Sequence, residues 1–570
     1  MNTETFFKQF ELFADAPNGI AKLRELILQL AVQGKLVPQN PDDEPADVLL
    51  ERIKAEKKRL VKEGKIKKSK KLPDINQDEI SFELPDSWKW CRLTEIVSIL
   101  GDGLHGTPVY DLTGEYYFIN GNNLSNGVIE IKGNTKRVSL DEYLKCKRNL
   151  NENTVLVSIN GTIGNVAFYN LEKVVLGKSA CYFNLLSNID KYYIAKLINS
   201  NYFLQYAFAS ATGTTIKNVS LKTMRGFLIP LPPLAEQYRI VEKVDRLMEL
   251  CDKLETQQQQ QHTKTLQLGT VATSRLTAAK TPEAFKQHWQ NISNNFDLIY
   301  STPENIKQLR QTILQLAVMG KLVPQNPDDE SASVLLAKIK AEKEKLIKEG
   351  KIKKSKKLKA IAPDEIEYLI PKQWNWSRLA DICEIITDGT HQTPRYTENG
   401  RMFLSAQNIK PFQFMPEKHR FVSEEDYQGY IKNKKPELED ILMTRVGAGI
   451  GETAVIDQKF DFAIYVSIAL IRPFKKFLNP HYLAIWLNSP TGSNKSHTNT
   501  YGKGVSQGNL NLGLIRQFVV SIPPLAEQHR IVAKVNQLMI YCDELEAKLT
   551  QSLSDKEKLI DTAVYQLLSA

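Results

Sequence analysis

Residues 23–72 read LRELILQLAVQGKLVPQNPDDEPADVLLERIKAEKKRLVKEGKIKKSKKL, and residues 309–358 read LRQTILQLAVMGKLVPQNPDDESASVLLAKIKAEKEKLIKEGKIKKSKKL. Forty of these fifty positions are identical, at a constant offset of 286. A second twin follows at an offset of 291, with PLPPLAEQYRIVEKVDRLMELCDKLE at 230–255 and SIPPLAEQHRIVAKVNQLMIYCDELE at 521–546. The chain therefore consists of two copies, and we expect a pseudo-two-fold axis between them.

Each pair of twins encloses a segment that diverges between the copies. These inserts are rich in short runs of β-branched and aromatic residues, which predict strands, and each also contains a helical stretch. We therefore expect two compact α/β domains in a duplicated frame. The predicted parts are a conserved helical region with a basic arm at 1–79, a first α/β domain at 80–229, a second conserved helical region with a basic arm at 230–365, a second α/β domain at 366–520, and a conserved C-terminal helix at 521–570.

The segment after each PPLAEQ motif has the clearest helical period. Ile240, Val244, Leu247, Cys251 and Leu254 are spaced by four, three, four and three residues, and the second copy repeats this spacing. A seam with this heptad period is typical of helices that pack as a coiled coil. Its presence in both copies predicts that the two helices pack on each other.

Length and composition place the chain among globular proteins of several domains. Its 570 residues are 42% hydrophobic and 25% charged, and two to four domains are expected at this length. We find no apolar run long enough for a transmembrane helix and no secretory signal pattern. The six cysteines form no CxxC pair. We therefore expect a reduced, cytoplasmic protein without a membrane segment.

The net charge of +10 is concentrated in two places. Residues 51–72 and residues 337–359 each carry a net charge of +8, which leaves about −6 for the rest of the chain. Duplicated basic arms of this kind suit a polyanionic partner. The alternative interpretation is a solvated helix end.

The two inserts share short polar loops that contain glycine and lie beside apolar strands. Such loops can approach a nucleic-acid backbone or base edges closely, or they can simply be tight turns. The matching pairs are 102–108 with 388–394, 158–164 with 444–451, and 213–218 with 504–509.

Patterns typical of catalytic sites are present only in incomplete form. Gly447-Ala-Gly449-Ile-Gly451 is typical of a nucleotide loop, but its twin Gly161-Thr-Ile-Gly164 lacks the pattern. Gly177-Lys178-Ser179 lacks the upstream glycine of a P-loop. His105 and His391 have no partner at metal-ligand spacing. The sequence therefore predicts no catalytic residue, no metal and no cofactor.

The PPLAEQ motif with its heptad helix, the ILQLAVxGKLVP motif, and the paired Asp-Gly-x-His-x-Thr-Pro loops together resemble the specificity subunit of a Type I restriction-modification system. The long, nearly identical frames with basic arms are most similar to the Type IB group. The resemblance implies a non-catalytic, DNA-binding subunit with two target recognition domains, each reading half of a bipartite, asymmetric site. Two long antiparallel helices would hold these domains apart. The implied partners are double-stranded DNA, two adenine methyltransferase subunits and, in the full complex, two motor-endonuclease subunits.

We assign candidate DNA-binding residues to the shared loops and to neighbouring polar turns. Arg445 is predicted to read a guanine opposite the position of Asn160 in the other copy, and Lys217 is matched to the neighbourhood of Gln507. Two alternatives stay open, namely a single-chain methyltransferase and a bivalent DNA-binding regulator that acts without partners. The candidates are His105, Thr107, Asn122, Asn123, Asn160, Thr162, Thr214, Lys217 and Asn218 in the first copy, and His391, Thr393, Gln407, Asn408, Arg445, Lys503, Gln507 and Asn509 in the second.

Overall fold

The computed structural model describes residues 3–68, 72–213, 216–354, 358–432, 434–501 and 508–569. The chain divides into two compact units. Unit 1 comprises residues 1–260 and 552–570, and unit 2 comprises residues 261–551. Both boundaries fall inside 45-residue helices. Each unit therefore contains the first part of one long helix and the last part of the other.

The frame of unit 1 begins with four helices, α1 (Thr3–Lys8), α2 (Phe10–Ala14), α3 (Gly19–Val32) and α4 (Ala46–Lys62). The spacing of the apolar residues between Leu23 and Ala31 predicts a helical region over 5–37. In the structure Asn18 adopts a left-handed backbone with φ 55° and separates α2 from α3. Gly34 follows α3 with φ 70°. A Cβ atom at Gly34 would lie 2.6 Å from Pro85 Cγ, so this close approach requires glycine.

The insert of unit 1 is built from short strands and helices. The strands β2, β10, β7 and β8 form an antiparallel sheet in that order, while β6, β3 and β9 form a second sheet. β4 and β5 form a hairpin, and β1 pairs with β11. The elements are β1 (Lys89–Arg92), α5 (Leu93–Ile96), β2 (Val97–Asp102), β3 (Tyr116–Ile119), β4 (Leu124–Ser125), β5 (Val128–Ile129), β6 (Arg137–Val138), α6 (Leu140–Cys146), β7 (Thr154–Ser158), β8 (Val166–Phe168), β9 (Val174–Leu176), β10 (Ala180–Leu185), α7 (Lys191–Ile198), α8 (Asn201–Ala209), α9 (Leu221–Gly226), β11 (Leu228–Leu231) and the long helix α10 (Leu234–Ala278).

Unit 2 repeats this architecture. Its main sheet has the order β13-β22-β19-β20, its second sheet has the order β14-β18-β15-β21, and β12 pairs with β25. β16 and β17 form the matching hairpin. The elements are α11 (Pro282–Asn294), α12 (Phe296–Ile299), α13 (Pro303–Val318), α14 (Ala332–Lys348), β12 (Asn375–Arg378), β13 (Cys383–Asp388), β14 (Tyr396–Thr397), β15 (Arg401–Leu404), β16 (Ile409–Lys410), β17 (Gln413–Phe414), β18 (Arg420–Val422), α15 (Glu424–Ile431), β19 (Ile441–Thr444), β20 (Thr453–Val455), β21 (Phe462–Ile464), β22 (Ile468–Pro473), α16 (Pro480–Asn488), α17 (Pro490–Thr498), β23 (Thr500–Tyr501), β24 (Asn509–Leu510), α18 (Leu512–Ile515), β25 (Val519–Ile522) and the long helix α19 (Leu525–Ser569).

The first parts of the two long helices carry the predicted heptad seams. In α10 the seam residues from Ile240 to Cys251 are buried in the core of unit 1. The same core contains Ile560, Ala563 and Leu567 from the last part of α19. In unit 2 the core contains Leu276 from the last part of α10 beside the seam of α19. Each unit is thus completed by a segment that belongs to the other copy of the sequence.

The Glu-Gln pair of each PPLAEQ motif fastens the long helix to its own domain. The Gln237 side chain accepts from the Asp190 amide at 2.9 Å and donates to the Pro232 carbonyl at 3.0 Å. The Glu236 carboxylate accepts from Trp88 Nε1 at 3.0 Å and from Gln39 Nε2 at 2.7 Å. Burial raises the pKa of Glu236. This clamp fixes the orientation of the sheets against the frame.

Unit 2 contains the same clamp. Glu527 accepts from Trp374 Nε1 at 2.9 Å, and Gln528 accepts from the Asn479 amide at 2.8 Å. Burial raises the pKa of Glu527 as well. The PPLAEQ motif, which is identical in the two copies, therefore has a structural role that both units share.

Candidate nucleic-acid interface

The main sheet of unit 1 brings its polar loops together at one edge. The antiparallel register pairs Cys181 with Asp102 and Ala180 with Ser158. The ends of β2 and β7 therefore lie beside the start of β10. We call the loops here the loop edge of unit 1, and it comprises residues 103–108, 121–123, 159–164, 177–179 and 216–218.

Ser179 ties these loops to one another. Its hydroxyl accepts from the Gly121 amide at 2.9 Å and donates to Asn120 Oδ1 at 3.0 Å. Its carbonyl accepts from the Ile159 amide at 3.0 Å. Sequence reasoning missed this serine, because Gly177-Lys178-Ser179 was considered only as an incomplete P-loop.

Unit 2 has an equivalent loop edge, which comprises residues 389–394, 406–408, 445–452, 465–467 and 508–509. Here Asp388 pairs with Ala469, and Thr444 pairs with Ile468. Ser467 takes the place of Ser179, since its hydroxyl accepts from the Ala406 amide at 3.1 Å and its carbonyl accepts from the Arg445 amide at 2.9 Å. The two loop edges therefore share one backbone scaffold.

Most of the predicted residues within the described part of the chain are exposed at these edges. Asn160 and Asn218 are half-buried and hydrogen-bonded to each other, with 3.2 Å between Asn160 Nδ2 and Asn218 Oδ1. Thr214, Lys503 and Gln507 lie outside the described residues. The exposed candidates are His105, Thr107, Asn122, Thr162, Lys217, His391, Thr393, Gln407 and Asn509.

Asn123 and Asn408 have a different role from the one predicted. Both are buried, and their amides are used within the protein. Asn123 Nδ2 donates to the Glu130 carbonyl at 2.9 Å, and Asn408 Nδ2 donates to the Met415 carbonyl at 2.9 Å. These side chains cannot reach a ligand in this conformation. The expectation of direct DNA contact is corrected to one of support for the exposed neighbours Asn122 and Gln407.

The prediction that Arg445 reads a guanine conflicts with its position. The residue is 6% exposed. Its guanidinium forms an ion pair with the Asp388 carboxylate, donates to the Leu510 carbonyl at 3.0 Å, and donates to Asn509 Oδ1 at 3.2 Å. These bonds hold the loop after β19 against β24 and the end of β13. Arg445 is therefore a structural residue of the loop edge.

The two loops correspond in a register that is shifted by one residue from the predicted match of Arg445 with Asn160. Arg445 corresponds to Ile159. The Arg445 amide donates to the Ser467 carbonyl, just as the Ile159 amide donates to the Ser179 carbonyl. The Arg445 and Ile159 carbonyls accept from the amides of Leu510 and Val219. Asn160 corresponds instead to Val446, since both form a β-bridge to the third loop. A shift of one residue along an extended chain exchanges inward and outward side chains.

Each loop edge presents a histidine held by an aspartate. His105 Nε2 lies 2.7 Å from Asp102 Oδ2, and His391 Nε2 lies 3.0 Å from Asp388 Oδ2. Both rings are largely exposed. The carboxylate orients each ring outward, so the other ring nitrogen remains available to a base edge or a phosphate.

The glycines of the second shared loop are explained by backbone conformation. Gly161 and Gly164 have φ 76° and 93°, and their counterparts Gly447 and Gly451 have φ 104° and 91°. These left-handed conformations favour glycine. The similarity of the second loop to a nucleotide-binding loop therefore follows from a turn that both units share.

Two lysines of the basic arms are fixed within the fold. Lys57 Nζ donates to the Thr94 carbonyl, and Lys343 Nζ donates to the Ala380 carbonyl. Burial lowers the pKa of both amines. The ends of the arms, at 69–71 and 355–357, lie outside the described residues. Among the described residues after α4 and α14, Lys67, Lys68, Lys353 and Lys354 are exposed.

Across the described ranges, no group of three or more histidine, cysteine, aspartate or glutamate residues is placed to hold a metal ion. In the same ranges no helix has the length and apolar character needed to cross a bilayer.

Comparison with known proteins finds one family profile that matches both copies of the sequence. The family profile described as "Type I restriction modification DNA specificity domain" matches residues 85–263 and 371–555. The chain is 33% identical over 564 residues to the Type I restriction enzyme EcoEI specificity subunit of Escherichia coli, covering 95% of this chain and 93% of that one. It is 32% identical over 580 residues to the EcoAI specificity subunit of the same species, covering 96% and 94%. The crystal structure of the HsdS subunit from Thermoanaerobacter tengcongensis matches with 17% identity and a TM-score of 0.40, covering 85% of this chain and 97% of that one.

The fold consists of two sheet-containing domains with similar loop edges in a duplicated helical frame. The chain belongs to the family of Type I restriction-modification specificity subunits.

Proposed function

We propose that this chain reads a bipartite, asymmetric DNA site, with the loop edge of each unit recognising one half. The observation that carries the proposal is that the two loop edges share a backbone and differ in their outward side chains. A shared scaffold places readers at the same positions, and different donors and acceptors there select different bases.

Three matched positions illustrate the difference. Asn122 in unit 1 corresponds to Gln407 in unit 2, Asn160 corresponds to Val446, and Lys178 corresponds to Val466. Asparagine and glutamine donate to and accept from base edges, lysine donates only, and valine offers apolar contact. Unit 1 is therefore the more polar reader at these positions, which supports two unlike half-sites.

The proposal includes the partners that a specificity subunit needs. Two methyltransferase subunits bind the chain and modify adenines at the site, and two motor-endonuclease subunits complete the restriction complex in the cytoplasm. The basic arms add affinity for phosphates, which does not depend on sequence. Under this division of labour the purified chain alone transfers no methyl group, and labelled S-adenosylmethionine provides the assay.

The test exchanges the three matched side chains between the units. The variant Asn122→Gln/Asn160→Val/Lys178→Val gives unit 1 the side chains of unit 2, and it is expressed with the cognate methyltransferase subunit. Methylome sequencing should report a changed first half-site and an unchanged second half-site. The reciprocal variant Gln407→Asn/Val446→Asn/Val466→Lys should change only the second. Methylation that is identical to wild type in both variants would contradict the proposal.

A further inference from the structure

The hairpins beside the two loop edges differ in both residues of the turn. In unit 1 the turn between β4 and β5 is Asn126-Gly127, with Gly127 at φ 82°. In unit 2 the turn between β16 and β17 is Pro411-Phe412, with Phe412 at φ 63°. The two hairpins are equivalent, because the Gly127 amide donates to the Val166 carbonyl at 3.0 Å and the Phe412 amide donates to the Thr453 carbonyl at 2.9 Å.

A phenylalanine in this conformation is costly. The left-handed region crowds the Cβ atom against the backbone, and glycine is the residue that normally occupies it in a two-residue turn. Strain of this kind persists when surrounding contacts impose it, and it is found disproportionately at functional sites. Phe412 is also 44% exposed, so a large part of its ring gains no burial within unit 2.

The hairpin is adjacent to the loop edge of unit 2. It follows directly on the turn that carries Gln407, and Lys410 Nζ lies 3.3 Å from the Glu452 carboxylate in the loop after β19. The side chains of Lys410, Gln413 and Lys418, which lie within six residues of Phe412 along the chain, are exposed. A single ring among hydrogen-bonding groups suits a polar ligand with apolar faces better than an apolar protein surface.

We propose that Phe412 is a DNA-contacting residue of unit 2 whose ring packs against the apolar surface of bases in the second half-site. This inference rests on the proposed function. The apolar surface of a base is either the methyl group of thymine or the face of a partly unstacked base, and aromatic side chains bind both. Unit 1 has no ring at this position, so the contact distinguishes the two half-sites.

A structural role for the ring makes a different prediction. In unit 1 a Cβ atom at Gly127 would lie 3.1 Å from the ring of Phe168, and the residue equivalent to Phe168 in unit 2 is the smaller Val455. If Phe412 serves only to fill that space, then Phe412→Gly lowers the melting temperature, and Phe412→Gly/Val455→Phe restores it with no effect on DNA.

The experiment uses the full chain assembled with its methyltransferase subunit on a fluorescent duplex that carries the site. Phe412→Gly should raise the melting temperature and weaken binding by roughly five- to hundred-fold, the range found when base–aromatic stacking is removed. The double variant with Val455→Phe keeps a ring in the packing position and should bind as weakly as Phe412→Gly.

Modified duplexes separate the two apolar surfaces. If the ring contacts a thymine methyl, replacing second-half-site thymines with uracil should weaken binding by wild type and leave Phe412→Gly unaffected. If the ring contacts a base face, 2-aminopurine in that half-site should change fluorescence on binding to wild type only. Unchanged affinity in both Phe412 variants, with wild type binding the site, would overturn the inference. Failure of wild type to bind any bipartite site would instead overturn the proposed function.

Discussion

Arg445 and Asp388 form a buried ion pair at the loop edge of unit 2, and the same carboxylate oxygen, Asp388 Oδ2, also holds His391. Removing one partner of a buried pair leaves the other charge without compensation, which costs about 3–5 kcal/mol. We therefore expect Arg445→Ala to lower the free energy of unfolding of unit 2 by about this amount. The affinity of this variant for the second half-site should also decrease, whatever the base sequence of that half-site.

Chemical denaturation and methylome sequencing together check this expectation. The variant Arg401→Ala is a suitable control, because Arg401 forms its ion pair with Glu424 in a more exposed setting and should cost less than ~1 kcal/mol. If Arg445→Ala leaves stability intact and relaxes a single base of the motif, Arg445 is a base reader after all.

The last part of α19 packs in the core of unit 1, and we therefore expect residues 560–567 to stabilise that unit. Ile560 is fully buried in the core of unit 1, while its neighbour Leu559 is 50% exposed. Ile560→Ala should therefore cost about 2–5 kcal/mol, and Leu559→Ala should change stability by no more than ~0.5 kcal/mol. Limited proteolysis of the Ile560 variant should cleave unit 1 before unit 2. Preferential cleavage of unit 2 would contradict the prediction, because it would mean that Ile560 stabilises unit 2 and not unit 1.

Glu236 predicts a pH dependence with a definite sign. Because burial raises its pKa, the folded chain binds this proton more tightly than the unfolded chain. The resulting stability is present below the unfolded pKa and is lost as pH rises through the folded pKa. The free energy of unfolding of Glu236→Gln should therefore increase relative to that of wild type as the pH rises from the unfolded pKa of glutamate through the raised folded pKa.

Denaturation curves across that range measure the difference between the two proteins. Glu249 is a control of opposite sign, since its hydrogen bond to Lys253 lowers its pKa. Its contribution is present above the unfolded pKa and disappears as pH falls through the folded pKa. Equal slopes for wild type and Glu236→Gln would refute the assignment.

The basic arms predict a salt effect. Replacing Lys65, Lys67, Lys68, Lys70 and Lys71 with glutamine should flatten the slope of log K against log salt, by ~0.9 for each phosphate that the arm no longer neutralises. The same five substitutions at 351–357 provide a matched variant in the second arm. A slope equal to that of wild type would mean that the arms face solvent or another subunit.

The long helices predict the spacing between half-sites. We expect the frame helices to lie antiparallel and to act as a ruler between the recognition domains. A helix rises ~1.5 Å per residue and DNA ~3.4 Å per base pair, so four residues inserted between Leu254 and Gln261 should lengthen the gap by one or two base pairs. Two or three residues should impair activity, because they rotate the seam. Full activity with an unaltered gap in the methylome would exclude this role.

Sequence reasoning reached the duplication, the domain class and the exposed loops, because these depend on repeated patterns and on glycines that mark turns. The inward direction of the Arg445 side chain was not predicted, because two loops of unequal length can be matched in more than one register. Sequence reasoning also could not identify the partners of Glu236, as Gln39 and Trp88 lie far away along the chain. Phe412 had no sequence signal, because its conformation is evident only from the backbone.

The completion of each core by the other copy has a consequence for synthesis on the ribosome. Leu276, which completes unit 2, is translated before the sheets of that unit, whereas Ile560 and Leu567, which complete unit 1, are translated only after residues 261–551 of unit 2. Unit 1 is therefore begun before unit 2 but completed after it. Until Ile560 and Leu567 have been translated, the seam of α10 from Ile240 to Cys251 is without its partners from α19, and a nascent chain that stops before them exposes this surface to chaperones and proteases.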